Sequence, residues 1–570
     1  MRNFSNRISY KHTLIILAVV AIAYLATLFI YVHGPLDGQF NKFFLPAKMF
    51  GVPSDLRAKG IDELFKDDLN TGWDGQFYYY IANDPLALKD TAQHVDADAY
   101  RYQRVGLPLL AKVVSVLSFQ SWVSPLTYYL TSLFIILLAV FFAANFFQQR
   151  KFNPYLILFW ALGMGTMVTQ LNGLPDAAAD GLLIIALICL IRGWSALYAI
   201  AISFAGLSRE IYLLLPLFFI LVEGVLQLKR IGLIKSISIG PIMTLFKKTW
   251  MHIIPVIVIV GWQCYVRIRF HVSPSDQAHG ILGLPLAATF KYMLGGYKRV
   301  HPLLGDSNAA YMEGFGITFY LLLVIAVLRE LAHYLAKFSK EKEFNFISIG
   351  LAFVAIIAMY LCFGRTVMMH HTGYFKAANI FLFLLPFMAC LEQTKLSKIS
   401  LCILFINLIF FDYLLWNRIS TGPYHTERIV YAQSQPACLK NYSAQIKPLS
   451  LEMVYRYHFL KHVFGPSTTV ITAEIKNTSN EIFYPYQGKG GVNLSYQWLD
   501  AKTLCVIKDG YRSSLLEALP PHKSTVLPLR LSYPHKPGQY ILKVTLVQEG
   551  CSWFYLANPN SAFSMPYTVR

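Results

Sequence analysis

The carboxylate best placed to do chemistry in this 570-residue chain is Asp74, in the stretch "DLNTGWDGQFYYYIANDP" (residues 67–84). Trp73, Gln76, Tyr78, Tyr79, Tyr80 and Asp84 surround it in sequence. Aromatic rings stack on the apolar faces of pyranoses while a carboxylate takes a hydroxyl, so this set suits a sugar. The competing reading is an Asp-Gly turn beside an interfacial aromatic belt. Against it, the aromatics are packed between residues 73 and 80 rather than scattered, Asp84-Pro85 follows closely, and the loop is long for a connector.

Further along, Arg209-Glu210 lies between two apolar runs, where ionisable residues are costly and are retained for function or pairing. It reads either as an ion pair between helices or as a group near the site, Arg209 contacting phosphate or orienting a carboxylate. Asp176 and Asp180 open an apolar segment in "LPDAAADG". An acidic first turn after Pro175 suits a helix start; the functional alternative makes Asp176 a second acid aiding substrate or metal binding. The stretch "GRTVMMHHTGYFK" (364–376) offers Arg365, His370, His371 and Lys376 as cations, against interfacial or snorkelling roles. Arg101 and Arg104 in "YRYQR" read as lipid-headgroup contacts or as site cations. Adjacent histidines point apart on a helix and no partner ligands have metal spacing, so a resident metal is unknown, with magnesium or manganese possible.

Most of the chain that positions these residues reads as membrane. It is 55% hydrophobic and 14% charged, against about 25% charged in soluble domains. The net charge of +19 fits basic cytoplasmic loops, and no basic run with interleaved aromatics points to nucleic acid. Spans of about 20 apolar residues are expected at 13–33, 123–147, 154–171, 176–193, 194–208, 211–228, 250–267, 313–336, 346–363, 376–393 and 398–416. The first resembles a signal peptide, but its apolar run is too long and lacks a small-residue cleavage site, so it reads as a signal anchor. Arg2, Arg7 and Lys11 then place the N-terminus in the cytoplasm, and alternation puts every clustered basic loop on that side.

The segment 105–119 is the ambiguous one. Counting it as a span would invert every later loop, so it is expected as an interfacial helix within an outward loop, 34–122. Asp74, Asp176, Arg209-Glu210 and the 364–376 stretch then gather on one outward face. Residues 1–416 form the membrane domain and 417–465 a linker or platform. From 466 to 570, short alternating strands separated by Gly, Pro and Asn turns suggest an extracytoplasmic β-sandwich, with Trp498 and Trp553 in its core. Cys505 and Cys551 are the candidate pair there if the compartment is oxidising.

Four segments in order, "GWDGQFYYYIANDP", "YRYQRVGLPLLAKVVSVL", "LNGLPDAAADGLLIIAL" and "GLSREIYLLLPL", resemble a bacterial family of polytopic membrane proteins. These are similar to the GT-C superfamily of glycosyltransferases, which use polyprenyl-phosphate sugars. That superfamily bears an acidic residue in its first outward loop, in the position Asp74 holds here. The eukaryotic mannosyltransferases of glycolipid-anchor synthesis carry a comparable Trp-Asp element. The resemblance covers roughly residues 10–230 by motif and 231–416 by topology. The C-terminal pattern "LSYQWLD…DGYRSSL…LVQEGCSWF" resembles an Ig-like sandwich attached to bacterial glycan-modifying proteins.

The resemblance implies a polytopic α-helical membrane protein of about 11 transmembrane helices, GT-C-like, with a C-terminal all-β sandwich. It implies a multi-pass protein of the inner (plasma) membrane, its C-terminal domain periplasmic. It would move a sugar from a polyprenyl-phosphate donor to a lipid-linked or cell-envelope glycan, with inversion. The leaving-group chemistry fits the residue types. A glycoside hydrolase needs a second carboxyl to protonate a poor leaving group, whereas a departing phosphate needs cations. One base is then enough, and Asp74 is that base. Trp73, Gln76, Tyr78, Tyr79, Asp84, Arg104, Asp176, Arg209, Glu210, Arg365, His370, His371 and Lys376 are the expected substrate contacts. The alternatives are a lipid-linked glycan flippase, which predicts charges spread through the bilayer and inverted repeats, and a glycan polymerase or ligase using the same face.

Overall fold

A computed structural model describes residues 10–33, 36, 38–47, 50–61, 73–231, 239–278, 280–298, 307–341, 343–368, 371–411, 437–454, 468–484, 490–510, 512–515, 518–531, 534 and 538–569. The chain forms two units: Met1–Leu64, Thr71–Arg299 and Ala310–Pro423 make one, and Phe65–Asn70, Val300–Ala309 and Tyr424–Arg570 the other.

The first unit is helical. Seven of its described helices are long and apolar enough to cross a membrane: Lys11–His33, Pro125–Gln149, Glu210–Lys229, Phe246–Phe270, Gly314–Lys340, Phe344–Leu361 and Gly373–Glu392. An eighth span is possible if Pro154–Ala161 and Met164–Leu171, bent by 49°, count as one. The expected count of about eleven is therefore not confirmed among the described residues. The remaining candidate segments are helical but short: Asp176–Arg192 has 17 residues, Ser195–Ser208 has 14, and Lys398–Ile409 is also below span length. At 1.5 Å per residue, a 14-residue helix extends only about 21 Å, short of the roughly 30 Å hydrocarbon core.

Two of the interruptions have local causes. The bend follows Ala161, where the Thr166 hydroxyl donates to the Trp160 carbonyl at 2.7 Å, and Asn379 also donates to that carbonyl. Side chains thus replace the helical bonds lost there, as apolar surroundings require. The helix Ser195–Ser208 stops because Arg209 is extended (φ −154°, ψ 104°), and Glu210 restarts a 3₁₀ turn. That break is where the site cations begin. The segment expected as an interfacial helix is helical over Gly106–Leu117, with Val113, Val114, Val116 and Leu117 exposed on one side.

The second unit is built from β1 (Ala444–Val454), β2 (Thr468–Asn477), β3 (Val492–Asp500), β4 (Val506–Asp509), β5 (Ser513–Ser514), β6 (Ser524–Leu531), β7 (Gly538–Gln548), β8 (Ser552–Trp553) and β9 (Ala562–Val569). One sheet runs β1-β2-β6 and the other β4-β3-β7-β8, with β5 on β3 and β9 on β7. All these pairings are antiparallel, for example Leu494 opposite Leu546 and Ala444 opposite Asn477. Alternate residues of both sheets, among them Ile471, Ile475, Leu494, Tyr496, Trp498, Leu527, Leu529, Leu542 and Val544, share one core. This is the period-two burial that strands impose.

Four expectations for this region are corrected. The stretch 417–465 contains a strand, β1, rather than only linker; Pro448 and a register shift beside it break the alternation that would have revealed it. "CSWFYL" is a two-residue strand followed by a helical turn, Phe554–Ala557. Cys551 is bonded to Cys438, not to Cys505, which is free and exposed. Trp498 is fully buried as expected, whereas Trp553 is only half-buried, with the Arg512 guanidinium 4.9 Å above its ring.

Candidate functional site

Asp74 immediately precedes the helix Gly75–Asn83, whose nine residues are all buried. Its side chain makes no capping bond to that helix, so the carboxylate is not spent on the turn. Instead Oδ1 lies 3.0 Å from Arg101 Nη2, and the side chain is 48% exposed. One edge of the carboxylate is therefore held while the rest stays accessible.

Arg101 is the hub. It makes a two-pronged bond to Asp96 (2.9 and 2.8 Å) and lies over the rings of Phe77, Tyr78 and Tyr100 at 5.1–5.7 Å. Bidentate guanidinium–carboxylate geometry fixes both position and charge. Desolvation would raise the Asp74 carboxyl, but Arg101, with Lys376 and Arg104 further off, outweighs it and holds the group below the ordinary carboxylate range. The sequence offers Arg101 only as one of two arginines in "YRYQR", and nothing in it marks Asp96. Their five-residue spacing does not single them out, because the path of the loop into the helix Asp98–Tyr102 is what brings them together.

Arg104 pairs with Glu210 across the chain, at 2.9 and 2.8 Å, and stacks over Tyr100 at 4.9 Å. Glu210 thus partners Arg104 rather than its neighbour Arg209. Arg209 is buried beneath: it lies 3.3 Å from Asp180 and 3.8 Å from Asp176, sits above the rings of Tyr212 and Tyr360, and donates to the Ala377 carbonyl at 3.0 Å. Tyr212 also donates to Asp180. With two carboxylates, a phenol and a carbonyl around it, Arg209 is a structural tie between three segments. Lys376, next to Ala377, is half-buried, forms no ion pair among the described residues, and acts electrostatically on Asp74. Arg365 is exposed at the start of a short helix, Arg365–Met368. His370 and the side chain of His371 lie outside the described residues.

The remaining sequence candidates divide between site and scaffold. Trp73 is half-buried and stacks on Tyr31. Gln76 accepts from the Ala47 backbone and donates to the Trp73 carbonyl, pinning the loop. Tyr79 packs on Phe44 at 4.8 Å, away from Arg101. The Asp84 carboxylate accepts from the Leu88 and Lys89 amides, so it shapes a turn.

Two glycines bring the motifs into contact. A Cβ on Gly75 would lie 1.7 Å from the Asn172 carbonyl oxygen, and one on Gly106 would lie 2.6 Å from the Phe204 carbonyl. The backbone of "WDGQ" therefore touches that of "LNGLP", and "RVGLP" touches the helix leading to Arg209. Gly75→Ala is expected to cost about 1–3 kcal/mol and to displace Asp74, lowering the unfolding midpoint in detergent. Gly224→Ala, where the added Cβ meets nothing within 4 Å, is expected to leave the midpoint unchanged or raise it. Equal effects at both positions would mean that the Gly75 contact is not what holds the loop.

Among the described residues no three of His, Cys, Asp and Glu group so as to hold a metal ion. Asp74 and Asp96 share Arg101, and Asp176 and Asp180 share Arg209. No step below is routed through a metal.

The fold and this site define a multi-pass helical membrane protein carrying a paired acid–base cluster in the loop after its first helix. No protein-family model matches the chain, and no curated protein matches it. A solved structure to which it is similar is the cryo-EM structure of arabinosyltransferase EmbB from Mycobacterium smegmatis, at 11% identity and a TM-score of 0.23. The match covers 86% of this chain and 63% of that one. Similarity at this level carries no argument about activity.

Proposed function

We propose that this protein is a membrane glycosyltransferase that moves a sugar from a polyprenyl-phosphate carrier to a lipid-linked or cell-envelope glycan. The observation that carries the reading is the half-exposed Asp74 carboxylate, held ionised by Arg101, which itself lies over the Tyr78 ring. Asp74 takes the proton of the acceptor hydroxyl as its oxygen bonds to the anomeric carbon. The bond from that carbon to the phosphate oxygen breaks, and its electron pair leaves with polyprenyl phosphate. Attack opposite the leaving group inverts the configuration. Among the described residues, Lys376, which acts on Asp74, and the exposed Arg365 are proposed for the departing phosphate; Arg209 is committed to its own carboxylates.

The reading is tested by comparing lipid extracts and envelope glycans, by mass spectrometry, of cells with and without the protein. Loss of one glycan sugar together with build-up of its polyprenyl-phosphate donor is the expected result. A flippase would leave the assembled glycan intact but on the cytoplasmic side. An unchanged donor pool and unchanged glycans would refute the transferase.

A further inference from the structure

The helix Ser307–Lys340 carries a second buried polar cluster that the proposed chemistry does not use. Glu330, Tyr334 and Lys337 follow at i, i+4 and i+7, the spacing that aligns side chains along one face of a helix. They meet Glu392, the last residue of the helix Ile380–Glu392: the Lys337 ammonium donates to the Glu392 main-chain carbonyl at 2.6 Å. Glu392 lies sixteen residues after Lys376, so by helical rise this cluster sits roughly 24 Å along the segment from Lys376.

The cluster is buried and short of partners. Glu330 is 8%, Glu392 7% and Tyr334 1% exposed. The Glu392 Oε1 atom and the Tyr334 hydroxyl are both sealed from solvent with no hydrogen-bond partner, and the Glu392 charge acts on Tyr334. Glu330 and Glu392 also act on one another, with Lys337 the one opposing charge named at Glu392 among the described residues. Arg150, which caps the helix Pro125–Gln149, lies over the Phe146 ring at 5.4 Å. With both carboxyls ionised, two carboxylates and one lysine leave one negative charge that a proton or a bound cation must cancel, because an unpaired charge in a protein interior is heavily penalised. The donors left over are hard oxygens. A lysine close by, and no third acidic or histidine ligand among the described residues, disfavour a doubly charged ion.

We propose that Glu330, Glu392 and the Tyr334 hydroxyl hold a monovalent alkali cation at the end of the helical unit remote from Asp74. The ion supplies the missing charge and ties the helix Ser307–Lys340 to the helix Ile380–Glu392, whose other end adjoins Lys376.

The test is thermal unfolding of the full chain in detergent at constant pH and ionic strength, replacing choline chloride stepwise by sodium or potassium chloride. A saturable rise in the midpoint is expected with at least one of the two ions. Glu392→Gln and Glu330→Gln each raise the half-saturating concentration at least ~10-fold. In choline alone they unfold no earlier than wild type, because they remove the repulsion. Tyr334→Phe weakens the response without changing charge, and Glu343→Gln, on the surface, leaves it intact. A midpoint that follows pH but no alkali ion, a response to divalent ions only, or Gln variants that keep the wild-type response would each overturn the proposal.

Discussion

Asp74→Asn is expected to abolish nearly all transfer while leaving the protein folded. Asparagine keeps the shape of the side chain but removes its charge, and so its ion pair to Arg101 and its capacity to take a proton; a positioned general base is worth about 10²–10⁴-fold in rate. Arg101 keeps its two-pronged bond to Asp96 in the variant, so the tie that orders the loop survives. The measurement is the initial rate of sugar transfer from a polyprenyl-phosphate donor in detergent, beside the unfolding midpoint. The pH dependence follows from the carboxyl being held low. A base works only when ionised, and a depressed value keeps it ionised as the solution turns acid. Wild-type activity should therefore persist to below the ordinary carboxylate range before it falls. Arg101→Gln removes the largest charge holding Asp74 down, so the acid limb should move to higher pH. A rate in Asp74→Asn within a few-fold of wild type would take Asp74 out of the chemistry.

That Asp74 stood out in the sequence while Arg101 did not has a physical reason. A carboxylate amid clustered aromatics next to an apolar run violates the local pattern, and such violations are visible without a fold. The value of Arg101 depends on where a loop and a five-residue helix, Asp98–Tyr102, return the chain, which no spacing rule encodes. The same limit explains Glu210. Sequence adjacency suggested Arg209 as its partner, but the extended backbone at Arg209 turns the two side chains to different neighbours, 106 residues apart in the case of Arg104. Apolar segments were legible as helices throughout, because hydropathy reports composition along the chain. Their lengths were not, since the stops at Ala161 and Ser208 are made by Thr166, Asn379 and an extended Arg209 rather than by proline or charge. In the second unit, β2, β3, β6 and β7 follow clean alternation, and β1 escaped because Pro448 interrupts it. With β1 unseen, Cys438 was read as part of a linker, so its bond to Cys551 was out of reach.

Replacing Arg209 by methionine is expected to be the most damaging single change to stability. Its side chain is 7% exposed, and Asp176 and Asp180 are 10% and 1% exposed. Removing the shared cation strands two buried carboxylates, and breaking a buried pair costs about 3–5 kcal/mol. Arg104→Met should cost much less, although the Arg104–Glu210 geometry is better, because Glu210 is 40% exposed and water takes over part of its charge. Unfolding midpoints and detergent-soluble yield of the two variants compare the effects directly. Asp180→Asn in the Arg209→Met background should restore part of the loss, since the two changes share one interaction and cannot be additive; strict additivity would mean that the pair is not coupled. The rescued double variant also separates structure from function. It regains stability but still lacks the bond from Arg209 to the Ala377 carbonyl, which fixes the turn beside Lys376. Under the proposed chemistry it should therefore fold and still transfer sugar poorly, with the defect in the step that expels phosphate. If transfer returned in proportion to stability, Arg209 would be scaffold alone and Lys376 would owe it nothing.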